Sequence, residues 1–197
     1  MPAKGKALDI VATIKEGVSI GMGNIVPIFV NILLWALTIW IPYLNVGTTI
    51  GLWVGIVSKA GRGEEIPMTE IFDPQYRKYM GEFFLTFGLM SMGIGVGMAF
   101  FIIPGIVIAI AWSLSLLLVV DKGKNPTEAI TLSNNYTYGN KGRMFCIYFL
   151  VCLASFIVMF ILGKIPVLGV VLVGVVYIFM MFVSIGIQAS IYKQLAK

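Results

Sequence analysis

The chain has 197 residues, 59% hydrophobic and 12% charged, with a mean hydropathy of +0.96 and a formal net charge of +5. Soluble domains carry roughly 25% charged residues, so the composition excludes an ordinary globular protein and points to one compact membrane domain over residues 1–197. There is no histidine, which removes the commonest metal ligand and acid/base group, and the Asp and Glu residues fall in polar segments.

Residues 1–17 carry Lys4, Lys6, Asp9, Lys15 and Glu16, too long a charged stretch for a signal peptide, and no small-residue cleavage site follows. The first span is therefore expected to be retained. Residues 7–20 read as an amphipathic helix along the membrane surface, with Leu8, Val11, Ile14 and Val18 near one face. Residues 24–41 form the first expected span, closed by Trp40 and Tyr43 at the far interface. Asn24, Asn31 and Thr38 are seven apart and share a face, either as packing contacts or as the lining of a pathway.

Residues 44–58 return from a short turn at Pro42 and Asn45, and Gly47, Gly51 and Gly55 leave one face of this helix open to a neighbouring helix. In the polar segment 59–81, Asp73-Pro74 resembles a helix start whose short helix would show Tyr76, Tyr79 and Met80 to lipid or protein. Residues 82–103 and 105–120 form a second hairpin, its outgoing arm loosened by Gly93, Gly95 and Gly97 and its returning arm carrying Ser113 and Ser115. Asn125-Pro126-Thr127-Glu128 is a capping-box-like start within the polar segment 121–143. Residues 144–162 and 167–192 make the last hairpin, where Ser184 and Gln188 lie one turn apart as an interhelical contact. Cys146 and Cys152, six apart, fall on different faces of a helix, which favours neither a disulfide nor a metal pair.

The result is an all-α architecture of six transmembrane helices in three hairpins, each preceded by an interfacial helix. Ile-Pro pairs at Pro42, Pro104 and Pro166 mark the hairpin turns, and 104 minus 42 and 166 minus 104 both give 62. Candidate repeats are residues 7–58, 68–120 and 126–192, parallel about the membrane normal. The other reading is that Ile-Pro recurs by chance in an isoleucine-rich chain, since Ile66-Pro67 lies outside the pattern.

Of the 14 Lys and Arg, only Lys164 lies at a hairpin tip, leaving 13 on the face shared by the termini. By the positive-inside rule that face is cytoplasmic, which places the protein as a multi-pass chain in the cell's inner membrane. The net charge suits anionic headgroups, and the basic residues form no continuous stripe for nucleic acid.

Ile103, Pro104, Gly105, Val119, Val120, Asp121, Pro126, Glu128, Ala129, Ser133, Lys141 and Gly142 occupy the places of a recurrent pattern: an Ile-Pro-Gly turn, a span, a Val-Val-Asp exit, a Pro-x-Glu-Ala cap, a Ser and a Lys-Gly. In this stretch, residues 103–144, the chain resembles a broad prokaryotic family of multi-span membrane proteins. That family includes YciC-like inner-membrane proteins and the membrane region attached to some glycerophosphoryl diester phosphodiesterases. Tyr136 stands where the family usually has Trp. The resemblance implies a fold and a topology but no activity, and the phosphodiesterase chemistry belongs to a separate soluble domain.

Two functions remain open. One is a non-enzymatic accessory or scaffold subunit whose partners are membrane lipids, other membrane proteins or copies of itself. The other is a small channel or lipid or solute transporter. No catalytic, cofactor-binding or metal residues are expected, because Asp121 and Glu128 read as a span exit and a helix cap.

Overall fold

The computed structural model describes residues 7–166 and 168–196, and among them every regular element is helical. In chain order these are α1 (Ile10–Gly23), α2 (Ile25–Thr38), α3 (Pro42–Ile50), a π-helical turn (Gly51–Gly55), α4 (Ile56–Arg62), a 3-10 turn (Glu70–Phe72) and α5 (Gln75–Lys78). Then come α6 (Met80–Phe100), α7 (Ile102–Ala111), α8 (Ser115–Lys122), α9 (Pro126–Thr137), α10 (Lys141–Leu162) and α11 (Leu168–Leu195).

Prolines set most of the boundaries. A proline ring clashes with the carbonyl four residues before it, so an incoming helix stops there. The last helical residues Gly23, Thr38, Phe100, Lys122 and Leu162 each stand four residues before Pro27, Pro42, Pro104, Pro126 and Pro166. The evenly spaced Ile-Pro pairs thus share one mechanical role, to end the helix that precedes each of them. Pro42 and Pro126 also open the next helix, at its first turn.

Side-chain caps complete the ends. Asp9 Oδ1 accepts from the Ala12 amide at 2.8 Å to start α1. Asn125 Oδ1 accepts from Glu128 N at 2.9 Å, while Asn125 Nδ2 lies 3.5 Å from Glu128 Oε2. Gly63 and Gly123 close α4 and α8 in left-handed conformations, with φ of 75° and 61°.

Four helical stretches are long and apolar enough to cross a membrane: α6, residues 102–122 (α7 with α8), α10 and α11. A fifth arises if α1 and α2, bent by 67° at Asn24, count as one span. Pro27 accounts for the bend, since its ring excludes the Gly23 carbonyl from a continuous ladder. The Gly93, Gly95 and Gly97 segment does not interrupt α6, which runs unbroken to Phe100. A Cβ at Gly97 would stand 3.0 Å from the Gly105 Cα of α7, whereas Gly95 faces open space.

The core lies where the second half of α11 meets α1 and α4. From Phe182 onward α11 buries nearly every side chain, while Leu168, Val170, Val171, Val175 and Tyr177 are exposed. Of the residues expected near one face of α1, Leu8 is buried in the core and Ile14 and Val18 pack partly buried against it. The buried residues of α1 itself are Thr13, Gly17 and Gly21, and Val11 is exposed. Rather than standing free, α1 runs antiparallel along α11, with Gln194 bonded to Thr13 and Gly17 against Ile187. The reason is steric: small residues let two backbones approach, while Ile10, Ile14 and Val18 pack partly buried beside the seam.

Candidate functional site

The candidate site is the set of buried polar contacts at the end of the bundle where the basic residues gather. Lys59 Nζ lies 2.7 Å from Glu70 Oε2, and the Glu70 side chain is only 1% exposed. The Tyr76 hydroxyl donates to Glu70 Oε1. This phenol is 1% exposed, and burial together with the adjacent Glu70 carboxylate pushes its pKa well above the ordinary range. Tyr76 therefore points inward, opposite to the expected display toward lipid or a partner.

The small-residue face of residues 42–62 receives this unit. A Cβ at Gly51 would stand 2.8 Å from the Ile71 Cα, and one at Gly47 would stand 2.8 Å from the Arg77 side chain. Gly55 leaves room for the Tyr76 phenol itself. The occupant of the Gly47, Gly51 and Gly55 face is thus the chain's own segment 70–77, not a second membrane helix.

Asn31 clamps the same segment. Its Nδ2 donates to the carbonyls of Pro27 at 2.9 Å and Pro67 at 2.8 Å, and its Oδ1 accepts from Ile71 N at 3.1 Å. It is completely buried. Asn24 bonds only back to the Ile20 carbonyl of α1, and Thr38 bonds the Trp35 carbonyl and lies 3.4 Å from Thr48 Oγ1. The three residues thus have separate hydrogen-bond partners.

Asp121 ends α8 in an ion pair with Arg62 and accepts the Tyr192 hydroxyl, so α4, α8 and α11 meet at one carboxylate. A cleft of about 420 Å³ lies beside it, between Arg62, Lys122, Tyr192 and Lys193. Arg62 also pairs with Glu64 at 2.6 Å, and Lys193 with Glu16 at 2.7 Å, so the cleft's cations largely face carboxylates.

Ser133 of α9 repairs the break between α7 and α8. Its hydroxyl donates to the Ala111 carbonyl at 2.7 Å and accepts from Leu114 N at 3.1 Å. Glu128 pairs with Lys124 at 2.7 Å on the surface of the same helix. In α11, Gln188 accepts from the Tyr148 hydroxyl of α10 at 2.7 Å and donates to the Ser113 carbonyl at 3.1 Å, whereas Ser184 bonds only to Met180 of its own helix. Cys146 and Cys152 are free and exposed.

Sequence reasoning missed Glu70, Lys59, Arg62 and Tyr192. Each looks like an ordinary interfacial residue, and only the fold-back of segment 63–79 and the convergence of three helix ends bring them together. Set against protein-family models, curated proteins and solved structures, the chain matches none.

Proposed function

We propose that this is a non-enzymatic integral membrane protein acting as an accessory or scaffold subunit that packs against other membrane proteins or lipid. One contrast supports the reading. Asn31, Glu70, Asp121, Ser133 and Gln188 all bond within the chain, whereas only 6% of the most apolar window of α6, and of α10, is buried. Helices of that length and polarity are covered by lipid or by other helices. Native mass spectrometry of the protein released under mild conditions is expected to show a stoichiometric membrane-protein companion or a defined homo-oligomer. A lone monomer that carries solute across vesicles would favour the transport reading instead.

Topology forms part of the proposal. The basic face supports cytoplasmic termini in the inner membrane, and the resemblance of residues 103–144 supports the same family architecture. Six crossings in three hairpins require residues 25–38 and 42–62 to cross as well. Helix α2 is 14 residues long, about 21 Å at 1.5 Å per residue, against a hydrocarbon core of ~30 Å. Arg77 and Ile71 also lie against Gly47 and Gly51, the middle of the returning arm, which would carry charged residues deep into the membrane if that arm crossed. We therefore favour four crossings, with the first hairpin seated in the cytoplasmic interface. A Tyr43→Cys variant lacking the native cysteines is expected to react with an impermeant maleimide only after the cells are opened. Labelling of intact spheroplasts would establish six crossings.

A further inference from the structure

We infer that the groove between α7 and α10 holds an acyl chain of an anionic phospholipid whose phosphate sits against Lys141. The inference rests on the membrane-protein reading above and adds a lipid class and a place for it.

The groove encloses about 340 Å³ and is lined by Ile103, Ile106, Val107, Ile110, Gly142 and Phe145, with Lys141 as its one charged residue. Both walls belong to helices of membrane length, and Ile103, Val107 and Phe145 are exposed along it. From Ile103 to Ile110 the α7 backbone rises about 10 Å, within the ~15 Å of one leaflet. Such a channel excludes water and accepts a hydrocarbon chain lengthwise.

The polar end selects the headgroup. Lys141 Nζ donates to Asn134 Oδ1 at 2.8 Å, and the nearby Arg143 donates to the Leu8 carbonyl at 3.0 Å. Arg143 lines a separate cleft with Leu8 and Asp9, and Asn134 is a neutral acceptor, so among the described residues the Lys141 ammonium stands at this end of the groove with no carboxylate paired to it. That distinguishes it from the Arg62 and Lys193 cleft, where Asp121, Glu64 and Glu16 supply the counter-charge. Lys141 also opens the 22-residue α10, whose free first-turn amides add to the attraction for a phosphate. An apolar slot ending at an unneutralised Lys141 fits a lipid with a net negative headgroup better than a zwitterionic one.

The test is native mass spectrometry of the full chain in mild detergent, titrated with phosphatidylglycerol or phosphatidylcholine. Phosphatidylglycerol is expected to bind at least tenfold more tightly. Lys141→Gln should weaken it about fivefold, as one well-placed cation near an anionic headgroup contributes, and Val107→Phe should abolish it by filling the slot. Lys15→Gln, an exposed lysine on α1, should change nothing. Ile103→Trp at the far end serves as a second blocking variant if Val107→Phe fails to fold by circular dichroism. Equal binding of the two lipids, undiminished binding by Lys141→Gln, an equal loss in Lys15→Gln, or equal stabilisation by inorganic phosphate alone would each overturn the inference. Loss of the underlying reading would look different, with the protein appearing in the soluble fraction.

Discussion

Glu70→Ala is expected to destabilise the protein by about 3–5 kcal/mol, because it leaves the Lys59 ammonium without its partner at a largely buried position. The same substitution removes the Glu70 carboxylate that accepts from the Tyr76 hydroxyl, which sits in the space left by Gly55. Unfolding in mild detergent, followed by circular dichroism against temperature, measures it. A Glu70→Ala protein within ~0.5 kcal/mol of the parent would refute the assignment of this cluster as the fastening of segment 63–79.

Two further variants apportion the effect. Tyr76→Phe removes one hydrogen bond and leaves Lys59 paired, so its cost should be nearer 1–2 kcal/mol, about one bond to a charged group. The double change Lys59→Met with Glu70→Leu removes both charges together. It should recover much of the loss, since desolvating an ion pair offsets most of its attraction. Recovery would identify the pair as a device that specifies where the segment docks more than as a source of net stability.

The limits of the sequence reading follow from what local pattern encodes. The Asn125 cap, the proline-ended helices and the close-packing face of Gly47, Gly51 and Gly55 are visible because each depends on residues within a few positions. What fills that glycine face is not visible. Tyr76, lying beyond a turn and a polar loop, carries no mark that separates an inward ring from an interfacial one. In α1, periodicity points to Leu8, Ile14 and Val18, which pack on the core, but not to Thr13, Gly17 and Gly21, whose small side chains let α11 approach. The break at Trp112 to Leu114 was likewise hidden, since the serine that satisfies it lies in another helix, 19 residues after Leu114. The six-span reading combines apolar length with the even spacing of Pro42, Pro104 and Pro166, and neither signal reveals that α2 is only 14 residues long.

The same small-residue logic gives the second large effect. Gly186→Ala is expected to loosen α1 from α11 at a cost of about 1–3 kcal/mol or more, because the added methyl meets the Gly17 carbonyl and comes within 2.7 Å of Gly21 N. Those atoms are backbone on an opposing helix, so no rotamer change relieves the clash and the helices must separate. Separation stretches the contacts that depend on the close approach: Ser190 to Glu16 at 2.7 Å, Gln194 to Thr13 at 3.2 Å and the Lys193 to Glu16 pair. Gly174→Ala, twelve residues earlier in the same helix, meets nothing within 4 Å. There the methyl should stabilise by up to ~1 kcal/mol through helix propensity alone. The opposite signs make the comparison decisive, because a general intolerance of α11 to substitution would lower both midpoints. Protease access to the Lys15 peptide bond gives an independent readout, expected to rise in Gly186→Ala and to stay unchanged in Gly174→Ala. Equal midpoints and equal protection would mean that α1 is held by its polar contacts, and that the glycine seam is incidental to the docking.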